Sequence, residues 1–242
     1  MDAGPMTKIY GVGLGPGDPG LVTLAALQAI TSAQLILAPS SQPRTIGRAE
    51  RIVRDLLPDR EVVSVPMPMT GGTTGIAQRE DATRALIRDL RPRLMNTTVA
   101  FVTLGDPLIY STFSLFVASL HHEQVPIVVE VIPGIPAFGQ LASLTTTNLV
   151  DNDERLHLVP ATGGLDHVAR LLEDRESVLV LYKLSANFAA IRAMIIRAGR
   201  LEGTMVGMEL GTERVQVLAL SEAPDIVGYF ATIIVPVQRR QG

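Results

Sequence analysis

Glycines at positions 11, 13, 15 and 17, with Pro16 and Pro19 among them, interrupt an otherwise apolar opening of the chain. Glycine takes the side chain away, so a ligand can meet the backbone directly, and proline stiffens the turn that results. Lys8 to Val12 reads as a buried strand, and Thr23 and Leu24 open an Ala/Leu-rich helix. Strand, glycine turn and helix in that order put a ligand at the carboxyl end of a strand, where open α/β sheets bind small molecules. The pattern recurs. An apolar strand from Thr97 to Leu104 runs into Gly105-Asp106-Pro107, and a strand from Val125 to Ile132 ends in Pro133-Gly134-Ile135-Pro136-Ala137-Phe138.

The first turn nearly matches a dinucleotide fingerprint, since Gly11-x-Gly13-x-x-Pro16 has its spacing. It departs where the chemistry needs it. Pro16 takes the third glycine position, and about 20 residues on, where an acid should hold a ribose, the chain reads Ile36-Leu37-Ala38-Pro39. No Lys-Ser or Lys-Thr follows, which excludes a phosphate-cradling loop. A nucleotide-dependent oxidoreductase and a noncatalytic small-molecule binder stand as competing classes. No Ser-His-Asp order, nucleophile elbow or HExxH motif is present, so hydrolase and metalloprotease readings lose their support. With no cysteine, neither disulfides nor thiolate ligands are possible, and His121, His122, His157 and His167 lack a metal spacing. A net charge of −3 argues against general nucleic-acid affinity. No apolar run is long enough for a membrane span and MDAGPMTK lacks the pattern of a secretion signal, so a soluble cytoplasmic protein is expected.

The elements that must position these turns follow an alternating order. Helices are expected over 21–31, 44–57, 77–90 and from near Ser111, with strands over 33–38 and 61–65 between them. After the third turn come helix 137–144, strand 156–159, helix 165–173, strand 178–182, helix 187–198 and strands near 205–208, 215–220 and 230–236. Alternation early and adjacent strands late predict an α/β chain with a parallel-rich first sheet and a mixed second one, divided into 1–125 and 126–242. Asp106 is placed to cap the helix near Ser111. The stretch PMPMTGGTTG reads as a mobile loop. Arg44, Arg48 and Arg51 share one face of the second helix, either as a solvated face balanced by Glu50 and Asp55 or as a surface for substrate carboxylates.

Four stretches in order, GLGPGDPGLVTL (13–24), TLGDPLIYST (103–112), VIPGIPAF (131–138) and VLVLYKLSANF (178–188), resemble the tetrapyrrole methylases, over nearly the whole chain. LHLVPAT (156–162) and YFATIIV (229–235) add similarity to the group that methylates carbon 20 of precorrin-2 in cobalamin biosynthesis. The resemblance implies a two-domain fold with the active site in the cleft between domains, S-adenosylmethionine as cofactor, a tetrapyrrole as substrate and a homodimer; the missing cysteines and histidine cluster offer no metal site of the protein's own. Another corrin-ring methyltransferase is the alternative within the family. Carried over by position, the donor site falls on Pro16, Leu104, Gly105, Asp106, Ile109, Pro136, Ala137, Lys183 and Gly211; for a tetrapyrrole's carboxylates the basic helix face of Arg44 and Arg48 is the candidate surface. In two places the chain departs from the family: Pro39 stands where the sirohaem-forming branch carries an acid, and Pro136 where most members carry Ser or Thr.

Overall fold

Strand-forming runs in the first half are apolar on both faces, as a sheet covered by helices on each side requires. In the computed structural model, which describes residues 6–42, 45–67 and 72–238, they form one fully parallel sheet. Its strands are β1 (Thr7–Gly13), β2 (Leu35–Ser40), β3 (Val62–Pro66), β4 (Thr98–Thr103) and β5 (Ile127–Ile132), in the order β3-β2-β4-β1-β5. Between them run α1 (Leu24–Ser32), α2 (Arg48–Leu56), α3 (Gly72–Leu94) and α4 (Phe113–His122).

Period-two alternation sorts the strand residues between two apolar layers. Val12, Ala100 and Val102 pack with Ala26, Ile30, Ile52 and Val53 of α1 and α2. On the other face Ile9, Val99 and Phe101 pack with Ile87, Phe113 and Phe116 of α3 and α4, the Phe101 and Phe116 rings stacking at 4.5 Å. So the neighbouring strands β1 and β4 are followed by helices on opposite faces. That divergence opens a crevice outside their carboxyl ends.

The second sheet has the order β6-β7-β10-β8-β9 and is mixed, as expected. β6 (Arg155–Pro160) and β7 (Ser177–Tyr182) are parallel, and β10 (Thr232–Val235) runs antiparallel to β7 and to β8 (Met205–Met208). β9 (Gln216–Ala219) closes the edge by a hairpin with β8. α6 (Asp166–Glu173) and α7 (Phe188–Arg197) cover one face, where Val168, Leu172, Ile191 and Ile195 meet Leu179, Leu181 and Ile233. α5 (Ala137–Leu144) covers the other through Leu141 and Ala142.

Three expectations shift in position. The compact units are 1–136 and 137–242 rather than a division at 125, because β5 pairs with β1 along its whole length and so belongs to the first sheet. The first helix begins at Leu24, where the Thr23 hydroxyl accepts from the Ala26 N–H at 3.1 Å; a short 3-10 turn, Pro19–Leu21, precedes it. Of the expected loop PMPMTGGTTG, residues 68–71 lie outside the described residues, whereas Gly72 to Gly75 are already helical as the start of α3. α3 carries Pro92 in its last turn, two residues before Leu94. Among the described residues no helix is long and apolar enough to cross a membrane.

Candidate functional site

Three chain segments meet at the carboxyl ends of β4, β1 and β5, and they meet through backbone. Gly15 and Gly105 form an antiparallel bridge: the Gly105 N–H donates to the Gly15 carbonyl at 2.7 Å and the Gly15 N–H to the Gly105 carbonyl at 3.3 Å. Gly134 packs against both strands' ends. A Cβ on Gly13 would stand 2.5 Å from the Gly134 nitrogen and 2.6 Å from the Gly105 oxygen, and one on Gly134 would overlap that oxygen and sit 2.7 Å from the Gly13 Cα. These two glycines therefore serve the contact of backbone with backbone. Gly105 is different: its φ is +65°, and the space its Cβ would occupy has nothing nearer than the Pro136 Cα at 3.9 Å. It leaves open floor at the end of β4.

Asp106 ties this junction together. Its Oδ1 accepts from the Leu108 N–H at 2.8 Å and its Oδ2 from the Gly134 N–H at 3.1 Å, linking the β4 and β5 turns. It does not cap α4, as the sequence predicts; α4 starts after Thr112, and the Phe113 N–H donates instead to the Ser111 hydroxyl at 3.1 Å. The reason is distance along the chain. A turn of its own, closed by the Ile109 N–H on the Asp106 carbonyl at 3.3 Å, separates Asp106 from the helix. Each carboxylate oxygen still keeps a second lone pair for a ligand.

Of the expected site residues, Pro16, Leu104, Gly105, Asp106, Ile109 and Pro136 are all in the first unit, on the segments that follow β1, β4 and β5. Ala137 is the first residue of α5 in the second unit. Lys183 and Gly211 follow β7 and β8, two strands that run the same way because both are antiparallel to β10, so both lie at one end of the second sheet. Both have left-handed backbone, φ 58° at Lys183 and 74° at Gly211. Arg44 lies outside the described residues. Arg48 is half-buried in the first turn of α2. Glu50 is not part of a solvated face: it is 5 % exposed and accepts from Arg54 at 2.9 and 2.7 Å.

Sequence reasoning reads Gly13 and Gly134 as parts of separate ligand-facing turns and not as a contact between them, and it passes over Thr103. Thr103 is 3 % exposed at the end of β4, and its hydroxyl has no hydrogen-bond partner among the described residues. Such an orphan group costs free energy unless something satisfies it. Among the described residues no group of His, Asp and Glu is arranged to hold a metal ion.

Residues 8–224 match the family model described as Tetrapyrrole (Corrin/Porphyrin) Methylases. The chain belongs to this family. It is 32 % identical over 241 residues to a precorrin-2 C(20)-methyltransferase of a Sinorhizobium species, with 95 % of each chain covered. It is 30 % identical to the cobalt-precorrin-2 C(20)-methyltransferase of Salmonella typhimurium, covering 94 % of this chain and 95 % of the other. Among solved structures, a cobalt precorrin-4 methyltransferase shares the fold with a TM-score of 0.69 at 20 % identity, over 95 % of this chain and 94 % of that one. The uroporphyrin-III C-methyl transferase of Thermus thermophilus, solved with S-adenosylhomocysteine, gives a TM-score of 0.66 at 24 % identity, with 95 % and 98 % covered. For a tetrapyrrole methylase the junction of Gly15, Gly105 and Gly134 is the part of the first unit built without side chains, at the crevice where α1 and α4 diverge.

Proposed function

We propose that this tetrapyrrole methylase transfers a methyl group from S-adenosylmethionine to carbon 20 of precorrin-2 or cobalt-precorrin-2, a step of cobalamin biosynthesis. The observation that carries the reading is the agreement of site and relatives. The backbone-lined floor at Gly105 sits in a chain that matches carbon-20 methyltransferases over 94 to 95 % of its length.

The residues present fit the donor. A molecule with an adenosine, an amino acid and a sulfonium needs apolar contact, hydrogen-bonding groups and room against the backbone. Leu104 and Ile109 supply the first, the spare lone pairs of Asp106 and the orphan hydroxyl of Thr103 the second, and Gly105 the third. When bound, S-adenosylmethionine supplies a methyl group already activated on sulfur. The chain's task is then to hold that carbon in line with the substrate carbon and keep water out, which demands placement more than a strong acid or base. Pro16 and Pro136 stiffen the segments that flank the floor, and Asp106 fixes two of them to each other. Ala137, Lys183 and Gly211 complete the proposed donor site, Lys183 through its backbone and aliphatic stem, since a cation beside a sulfonium is unfavourable.

Arg44 and Arg48 are proposed to face the carboxylates that edge the macrocycle. The reading extends to a homodimer at work in the cytoplasm, supported by the family resemblance. To test the activity, the protein is incubated with labelled S-adenosylmethionine and each precursor separately, and the methyl is located by mass spectrometry and carbon NMR. Label at carbon 20 is the expected result. Label at another ring carbon would move the protein elsewhere among the corrin-ring methyltransferases.

A further inference from the structure

A strand at the edge of a sheet exposes a row of backbone groups, and folds commonly blunt it with charge, proline or brevity. Edges β3, β6 and β9 show these devices: β3 carries Ser64 and Pro66, β6 carries Arg155, His157 and Pro160, and β9 has four residues. β5 does not. Its sequence Ile-Val-Val-Glu-Val-Ile has no proline, and its one charge, Glu130, is answered by Lys8 of β1 at 2.9 Å. Val128 is 43 % exposed and Val129 37 % exposed, in the middle of a strand whose sheet type is ordinarily buried.

Which backbone groups face outward follows from one hydrogen bond. The Thr7 N–H donates to the Pro126 carbonyl at 2.9 Å, so the even-numbered residues of β5 turn toward β1, and Ile127, Val129 and Val131 turn their N–H and C=O away. Among the described residues nothing pairs with those outward groups.

We propose that β5 is the seam of the homodimer: two copies pair edge to edge, antiparallel about a two-fold axis at Val129, and their parallel sheets become one. This rests on the homodimer reading and deepens it by naming the surface. Register identifies a second copy as the occupant. With the axis at Val129, Val129 meets Val129 and Ile127 meets Val131, so every outward group of the strand finds a partner. An axis at residue 130 would set Glu130 against Glu130 and Ile127 against Pro133, which has no N–H. One at residue 128 would set Val131 against Val125, whose N–H already donates to the Leu120 carbonyl. Side chains agree with the first register. On one face the seam is Ile127, Val129 and Val131 of both copies, β-branched residues that suit one another across strands. On the other face Glu130 lies opposite Val128 of the second copy, and the next residue in that row is the second copy's Lys8, roughly 10 Å off by two strand spacings. Each carboxylate is then flanked by two ammonium groups, and no like charges stand opposite each other.

The test uses Val129→Pro and two single-cysteine variants of the full chain, which has no cysteine of its own. Proline at 129 removes an outward N–H, a place where an edge strand tolerates it, and leaves the ladder with β1 intact. Light scattering at micromolar concentration should give a dimer for wild type and half that mass for Val129→Pro, with affinity for S-adenosylhomocysteine kept within about twofold. Under mild oxidation Val129→Cys should form a covalent dimer on a non-reducing gel, because facing residues of a hydrogen-bonded antiparallel pair stand about 5.5 Å apart, within disulfide reach. Ser64→Cys, exposed on the opposite edge of the same sheet, should stay uncross-linked. A folded Val129→Pro that remains dimeric overturns the seam. If that variant does not fold, the cysteines decide: cross-linking at 129 and not at 64 upholds the seam, whereas none at 129, or as much at 64, overturns it. A monomeric wild type defeats the homodimer reading and the seam together, and a dimer that joins elsewhere defeats the seam alone.

Discussion

The first unit joins its strand ends by removing side chains, and the second joins its own by burying them. At the carboxyl ends of β1, β4 and β5, Gly13, Gly105 and Gly134 bring backbones within contact, and the Asp106 side chain adds a tie to the backbone bridge of Gly15 and Gly105. At the amino end of β7 the solution is a dense polar network. Arg200, only 1 % exposed, donates to the carbonyls of Asp174, Ser177 and Pro236 at 3.0, 2.6 and 2.9 Å. The Ser177 hydroxyl donates to the Asp174 carboxylate at 2.6 Å, and Arg155 binds both Asp174 and Glu176. That serine hydrogen bond, ahead of the Glu176 N–H and Arg155, holds the Asp174 carboxyl down at about 2. A carboxyl depressed in the fold stabilises it above the usual carboxylate range, and the contribution is lost as pH falls toward 2. Burial lowers the Arg200 guanidinium, with the Arg175 cation adding to the effect.

The difference separates scaffold from site. The polar network spends most of its hydrogen-bonding capacity on the protein: Arg200 serves three carbonyls and keeps only its Nε without a partner, and the Ser177 hydroxyl, besides donating to Asp174, lies within hydrogen-bond distance of Arg155 and His157. The glycine junction leaves capacity over, in the open floor at Gly105, the spare lone pairs of Asp106 and the orphan hydroxyl of Thr103. A ligand is recognised where the fold has left groups unspent.

Substitutions break this comparison at different depths. The largest effect is expected from Gly134→Ala, whose new methyl group has only backbone to push against; a loss of about 3 kcal/mol or more, or failure to fold, should appear in urea denaturation. A well-folded alanine variant would show that the three segments can move apart. Next comes Arg200→Met, which takes the Arg200 donor from three carbonyls, of which the one on Ser177 is buried. About 2 to 3 kcal/mol should be lost in the same measurement, with affinity for S-adenosylhomocysteine retained in the folded fraction. A lost affinity at full stability would place the network in the site after all. Smallest in stability is Asp106→Asn, where one of two backbone donors would face an amide NH2; about 1 kcal/mol is expected. Its mark should be on binding: calorimetry should show a weaker complex with S-adenosylhomocysteine than for Asp153→Asn, in an exposed polar turn. Equal effects would remove Asp106 from the donor site.

Much of this was legible in the residues. Periodicity found the strands, since a sheet covered on both faces leaves apolar runs such as Val99 to Val102, and helix 137–144 falls where its pattern put it. The glycine turns marked the site because their composition is so unlike the strands before them. What the sequence hid was long-range. Nothing near residue 125 says that β5 will pair with β1 and draw the unit boundary to 136. Asp106 reads locally as a helix cap, and only the fold brings the Gly134 N–H within reach of its second oxygen. Glu50 looked like a surface charge, yet it is buried beside Arg54, one turn further along α2. Gly13 and Gly134 were visible as glycines, but the reason for them is each other.

The strand order has a further consequence, in time rather than in space. β1 is made first and ends up between β4 and β5, which leave the ribosome last among the strands of that sheet. At the usual 5 to 20 residues per second, the interval from Gly13 to Gly134 is on the order of ten seconds. For most of that time the first strand has neither neighbour, and β4 is the first to become available. The glycine junction therefore cannot close until the first unit has been synthesised in full, and the proposed donor floor at Gly105 is among the last parts of it to take shape.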